Sequence, residues 1–208
     1  MNYEKMIKKS KLAAAYAELD AENRQTALSE YKVLCAEHDL SDKMLAAHLL
    51  NAILPAVALY RVLARSSGKD AAFSAIRIAM LDSARPMTRV FRALGRLPFG
   101  FPLLRMITPL AMKTGFGESG WDMQWLKNTR KEIAVIAHSC FYDRILRQCG
   151  MSELTPVFCE FDDVVYGTIP HIRWGRTKTI GRGDALCDFR FINERQVRDL
   201  GCSPSEGQ

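Results

Sequence analysis

Apolar and polar residues recur at helical spacing over the first two-thirds of the chain and alternate strictly only near its end. Residues 3–37, rich in Ala, Lys, Glu and Leu, read as helix with a break at Asp20-Ala21-Glu22-Asn23. Ser41-Asp42 offers a cap for a second helix reaching to Ala64. Ser66-Ser67-Gly68 separates that helix from a third over 69–82. Between Arg85 and Gly117 stand four prolines (Pro86, Pro98, Pro102, Pro109) and four glycines (Gly95, Gly100, Gly115, Gly117), a punctuation that predicts short helices joined by turns.

The texture changes after Trp125. Over 128–149, Ile133, Ile136, Ala137, Cys140, Phe141 and Ile145 fit one face of a helix, with Gly150 as its stop. Thr155-Pro156 opens another helix that runs to Tyr166 and ends at Gly167. Ile172–Ile180 then alternates, Gly181-Arg182-Gly183-Asp184 turns, and Ala185–Phe191 alternates again, the pattern of a β-hairpin. The reading is an α+β protein. A mostly helical N-terminal lobe (1–127) precedes a lobe (128–194) of two helices and an antiparallel β-hairpin in a small sheet, and a polar, flexible tail (195–208) closes the chain. The other strands of that sheet are not apparent. Either hairpins pair between the subunits of a homodimer, or the segment 85–125 holds a strand that reads as helix.

With 208 residues and 48% apolar content the chain suits one domain or two small lobes, and global disorder is excluded. The net charge of +6 sharpens the picture because it is local. No acid lies between Asp82 and Glu118, where Arg85, Arg89, Arg92, Arg96, Arg105 and Lys113 account for the whole excess. The first four recur at spacings of 4, 3 and 4 and so share one helix face. Such a face suits a membrane surface or an anionic polymer, or it packs on the protein and pairs with acids. Pairing is the expectation, and without a nucleic-acid-binding motif no nucleic-acid partner is predicted. Met44–Ala64 has the length of a bilayer span, but His48, Asn51, Pro55 and Arg61 interrupt it. It is predicted to be a core helix, and no integral membrane segment is expected. The six cysteines form no CxxC pair, and the charged N-terminus has no apolar leader, so reduced thiols in a cytoplasmic protein are expected.

Candidate chemistry gathers in the last third. On the helix 156–166, Val157, Phe158, Phe161, Val164 and Val165 form the apolar face. Cys159, Asp162, Asp163 and Tyr166 fall at i, i+3, i+4 and i+7, a polar stripe with Glu160 beside it. A carboxylate against an apolar wall suits general acid or base work; a solvated helix face is the bland alternative. In the hairpin, Ala185, Cys187, Phe189 and Phe191 share one face. Cys140, Cys159 and Cys187 could meet, with Glu160 or Asp162, around zinc or another divalent metal; otherwise each is a small buried apolar side chain. Arg176 or Arg173, beside hydroxyls on the first hairpin strand, suits a substrate carboxylate. His171 follows Pro170 at the start of that strand.

Cys140-x-Tyr142, ELTPVFCEFDDVVYG (153–167) and RTKTIGRGDALCDFRF (176–191), with LPAVALYRVL (54–63) upstream, resemble the L-2-amino-thiazoline-4-carboxylic acid hydrolase family. The resemblance implies hydrolytic opening of a cyclic amidine to N-carbamoyl-L-cysteine, on a route to cysteine, with a small-molecule carboxylate as substrate. The Cys-rich strand also resembles sensor domains of the 4-vinyl-reductase type, some of which hold zinc with cysteines and an acid. A ligand-binding sensor without catalysis is therefore the alternative function. For the hydrolase, Asp162 is the first candidate base, with Asp163 and Glu160 next. Cys159 and Cys187 serve as metal ligands or one of them as nucleophile. Arg176 clamps the substrate carboxylate, Trp174 walls the ring, and Tyr166 and His171 complete the binding set. The pocket is expected between the hairpin and the helix 156–166.

Overall fold

The computed structural model describes residues 2–117 and 119–198. In chain order the helices α1 (Tyr3–Ile7), α2 (Ala13–Glu18), α3 (Ala21–Glu37), α4 (Lys43–His48), α5 (Leu54–Ser67) and α6 (Lys69–Asp82) come first. Next are α7 (Arg85–Arg96), α8 (Gly100–Gly115), β1 (Met123–Asn128), β2 (Glu132–Ala137), α9 (Phe141–Gln148) and α10 (Thr155–Tyr166). The last elements are β3 (Ile172–Gly175), β4 (Cys187–Asn193) and α11 (Glu194–Arg198). The chain is α+β, and it divides into two compact units. The first comprises residues 1–85 and 141–161, the second 86–140 and 162–208. These boundaries differ from the lobes read from the sequence: α9 and most of α10 group with the N-terminal helices, while α7 and α8 group with the sheet.

In the first unit α5 is the central element. Leu54, Ala56, Val57, Ala58 and Leu59 are fully buried, each at 0% exposure. A π-helical turn (Leu49–Ile53) joins α4 to α5 and places Pro55 in the first turn of α5, and carbonyls of the preceding turn accept from other donors, Leu50 O from the Tyr31 hydroxyl at 3.0 Å and Asn51 O from Lys11 N at 2.8 Å. The run Lys43–Ser67 is long and apolar enough to cross a membrane by length and composition, and 67% of its most apolar window is buried in the protein. Helix boundaries follow their caps: Asp20 Oδ1 accepts from Asn23 N at 2.8 Å to start α3, and Asp42 Oδ1 from Met44 N at 2.9 Å to start α4. Buried Asp143 accepts from Arg147 Nε at 2.7 Å and from the Thr155 hydroxyl at 3.4 Å, so the threonine at the start of α10 is tied to α9.

The second unit is built on a four-stranded antiparallel sheet in the order β1-β2-β4-β3. Residues 128–149 are thus not one helix but the end of β1, the strand β2 and then α9. Strand β2 is interior to the sheet; Ile133, Ala134, Val135 and Ala137 are all buried, so both of its faces are covered and the alternation that marks a strand is lost. The sheet is completed within the chain by β1 and β2, and no second copy is needed to supply strands. Strands β3 and β4 form the expected hairpin, with Trp174 opposite Phe191 and Arg173 opposite Ile192. The first strand stops at Gly175, short of its predicted end at Ile180, and the chain continues as a loop organised by acids. Asp188 accepts from Thr177 N at 2.8 Å and Lys178 N at 2.6 Å, and Asp184 accepts from Thr179 N at 2.7 Å. Gly183, at φ 99°, supplies the left-handed residue this turn requires.

The Pro- and Gly-rich segment forms two substantial helices rather than several short ones. Pro86 and Pro102 lie in first turns, where no intrahelical N–H bond is made, and Pro109 lies inside α8. Their apolar sides meet the sheet in a core of Phe101, Leu104, Ile133, Ile169 and Ile172, with Phe91 and Tyr166 packed at its edge. Gly95 allows the closest approach: a Cβ there would fall 2.5 Å from the Pro170 carbonyl oxygen. The polar tail expected from 195 begins as α11; from 199 onward, including Cys202, it lies outside the described residues.

Candidate active site

A cleft of about 150 Å³ opens within the second unit. Its floor is the inner face of the sheet: Ile133 and Val135 from β2, Trp174 from β3, Phe189 and Phe191 from β4. Phe91 of α7 and Leu104, Thr108 and Met112 of α8 close one side, and Asp162 and Tyr166, one turn apart on α10, close another. Aromatic rings dominate: Tyr166 packs edge-on to Phe91 at 5.0 Å and to Phe191 at 5.3 Å, and Trp174 lies 4.9 Å from Phe191. Among the described residues that line this apolar wall, Asp162 is the one that carries a charge. Burial, reinforced by the Asp162 carboxylate, pushes the Tyr166 hydroxyl well above the usual phenol range, so it stays a proton donor throughout the neutral region.

Of the residues singled out from the sequence, the cleft collects Asp162, Tyr166 and Trp174. Asp163, next in the chain, points to a different task. Its Oδ1 accepts from Trp174 Nε1 at 3.0 Å, and its Oδ2 from Arg176 Nη2 at 2.6 Å and Arg182 Nη2 at 3.3 Å. Arg176 is also 3.6 Å from Asp162, stacks over the Trp174 ring at 5.8 Å, and has a side chain only 3% exposed. The guanidinium is therefore a strut that orders both aspartates and the indole, and it does not line the cleft. A substrate carboxylate would reach it only by displacing Asp163. Arg173 is exposed on the opposite face of the sheet.

The remaining candidates lie elsewhere. Glu160 belongs to the first unit, where Arg77 forks onto its carboxylate, with Nε–Oε2 at 2.6 Å. Cys159 is buried in that unit as well. Cys187 is buried in the second unit beneath the 176–186 loop; burial raises its thiol pKa, and the Ile180 N–H, donating to Sγ at 3.3 Å, offsets this only in part. A thiol held protonated is a weak nucleophile at neutral pH. His171, exposed and at φ 63°, borders a separate small hollow with Gly95, Pro98 and Asn193. Among the described residues no group of three His, Cys, Asp or Glu side chains is placed to hold a metal ion. Of the ligand set read from the sequence, Cys159 and Glu160 fall in the first unit and Cys140, Cys187 and Asp162 in the second, and neither unit by itself places three of these groups to hold zinc or another divalent metal.

Sequence reasoning missed the helix side of the cleft. The signal was present: Leu104, Thr108 and Ala111 recur at helical spacing and all three line the cleft. The basic residues interleaved with them drew the reading toward surface charge instead.

A family model for L-2-amino-thiazoline-4-carboxylic acid hydrolase matches residues 47–191, well over half of the chain. The chain belongs to this family. No curated protein and no solved structure matches it. The matched span of this hydrolase-family member includes every element that lines the cleft, the helix side as well as the α10 and hairpin motifs, and leaves out α1–α3, most of α4 and the C-terminal end.

Proposed function

We propose that the protein hydrolyses a cyclic amidine of the thiazoline type, L-2-amino-thiazoline-4-carboxylate, to N-carbamoyl-L-cysteine in the α8–sheet cleft. The observation that carries this reading is the position of Asp162, the one carboxylate on an otherwise apolar and aromatic wall, one helical turn from the Tyr166 hydroxyl. A cavity near 150 Å³ is the size that takes a single small ring. Ring opening needs water at the amidine carbon and a group to receive its proton. Asp162 takes that proton as the C–O bond forms. Asp162 hands that proton to the ring nitrogen, the tetrahedral adduct collapses with cleavage of the C–S bond, and the proton of its hydroxyl passes through Asp162 to the departing sulfur. The balance is one water consumed and one product formed, which carries both the freed thiol and the new ureido group. Tyr166 donates a hydrogen bond to the developing charge, Trp174 and Phe191 hold the ring, and Arg176 positions Asp162 from behind.

Because the reaction frees a thiol, a thiol-reactive chromogen reports it directly. The purified protein should release thiol from the thiazoline carboxylate, and Asp162→Asn should lower the rate by about 10²–10⁴-fold, the usual worth of a positioned base. Binding of the thiazoline without any thiol release would overturn the hydrolase reading in favour of a sensor.

A further inference from the structure

We propose that the outward side of α7, the 97–99 turn and α8 docks the protein on an anionic lipid bilayer. Two independent features of this surface point the same way. The first is charge without partners. Arg89, Arg92, Arg96, Arg105 and Lys113 make no ion pair among the described residues, whereas Arg85 pairs with Asp82 at 2.6 Å. Among the described residues, the pairing with acids expected from the sequence is made by one of the six cations, Arg85. The second is apolar surface that the fold leaves in water: Val90 is 66% exposed, Phe99 55%, Met106 71% and Leu110 65%.

Helix geometry makes this surface distinct from the cleft. On α8, Leu104, Thr108 and Ala111 face the cleft, while Met106, Leu110 and Lys113, at i, i+4 and i+7, form a stripe on the opposite side. The helix already buries one apolar face, and a second one has no use in the fold. On α7, Arg89, Arg92 and Arg96 lie beside exposed Val90, and exposed Leu97 follows at the start of the turn.

The chemistry of each class of occupant decides among them. A second copy of the chain would bring the same cations and no acid from 83–117, so like charges would oppose the contact. A nucleic acid satisfies the arginines and leaves Phe99, Met106 and Leu110 in water. A bilayer with anionic headgroups satisfies both, phosphates for the cations and the acyl boundary for the apolar stripe.

The test is co-sedimentation of the full chain with vesicles of phosphatidylcholine alone or mixed with phosphatidylglycerol, with double-stranded DNA as a competing arm. Binding should require phosphatidylglycerol and weaken with salt. Arg89→Glu with Arg92→Glu should reduce it by at least about tenfold. Phe99→Ser with Leu110→Ser should reduce it by roughly the same factor, and at high salt too. None of these four side chains lines the cleft, so thiol release in solution should be unchanged. Absence of binding to anionic vesicles, binding indifferent to both double variants, or binding to DNA but not vesicles would each overturn the proposal. So would a stable dimer that Leu110→Ser dissociates.

Discussion

On the strand side of the cleft, acids and cations satisfy one another: Asp163 holds Arg176, Arg182 and the Trp174 indole, and Asp188 holds the Thr177 and Lys178 amides. On the helix side no acid occurs between Asp82 and Glu118, and five cations stand without an ion partner among the described residues. Both sides present apolar residues to the same cavity, yet one is braced by its own polar groups and the other keeps its charge for the outside. The contrast teaches that a local excess of charge need not mark the chemistry. In this hydrolase-family member the excess lies on the back of the wall, and the candidate catalytic carboxylate is on a helix whose three acids are each paired with an arginine from another element.

Beyond the turnover lost in Asp162→Asn, the largest effect should come from unbracing the strand side. Asp163→Ala leaves Arg176, almost fully buried, without its closest anion, and should cost roughly 2–3 kcal/mol by chemical denaturation. Unchanged stability would show that Asp163 is no brace. Next, Gly95→Ala forces a methyl against the Pro170 carbonyl and should cost about 1–3 kcal/mol, whereas Ala93→Gly, on the exposed side of the same helix, should cost about 1 kcal/mol from propensity alone. Equal costs would show that the close approach at Gly95 carries no energetic weight.

Acid should loosen the strand side selectively. Burial alone would raise the Asp188 pKa, but hydrogen bonds from Lys178 N, the Thr177 hydroxyl and Thr177 N hold it below the usual carboxylate value. A depressed folded-state pKa gives stability that is present above the unfolded value of about 3.9 and is lost as pH falls through the folded one. Amide exchange at Thr177 and Lys178 should therefore accelerate below about pH 4, and Asp188→Asn should abolish that pH step. The smallest effect concerns the substrate. Among the described residues no cation lines the cleft, so the ring without its carboxylate, 2-amino-2-thiazoline, should keep kcat/KM within about tenfold of the carboxylated form. A far larger loss would mean that Arg176 leaves Asp163 to meet the substrate.

The helix 155–166 and the hairpin were legible because each keeps one apolar face, so the 3.6 and 2 periods survive in the sequence. Strand β2 was not legible. Ile133-Ala134-Val135-Ile136-Ala137 is a continuous apolar run that also satisfies helical spacing, and its coverage on both faces is a tertiary fact. At the site, the sequence placed Asp162 and Asp163 on one stripe. Adjacent residues on a helix diverge by about 100°, and which of the two meets the cavity depends on where Trp174 and Arg176 arrive from the hairpin. The thiols show the same limit. Periodicity could turn Cys187 inward, but it could not show that Glu160 pairs with Arg77 and Asp162 with Arg176.

The most direct measurement sets the two neighbouring aspartates against each other: thiol release and melting temperature for Asp162→Asn and Asp163→Asn beside the parent protein. With Asp162 as the base and Asp163 as the brace, Asp162→Asn melts near the parent and loses turnover, while Asp163→Asn melts lower and retains turnover at temperatures where it is folded. Full turnover in Asp162→Asn, or lost turnover in a fully stable Asp163→Asn, would contradict that division of labour.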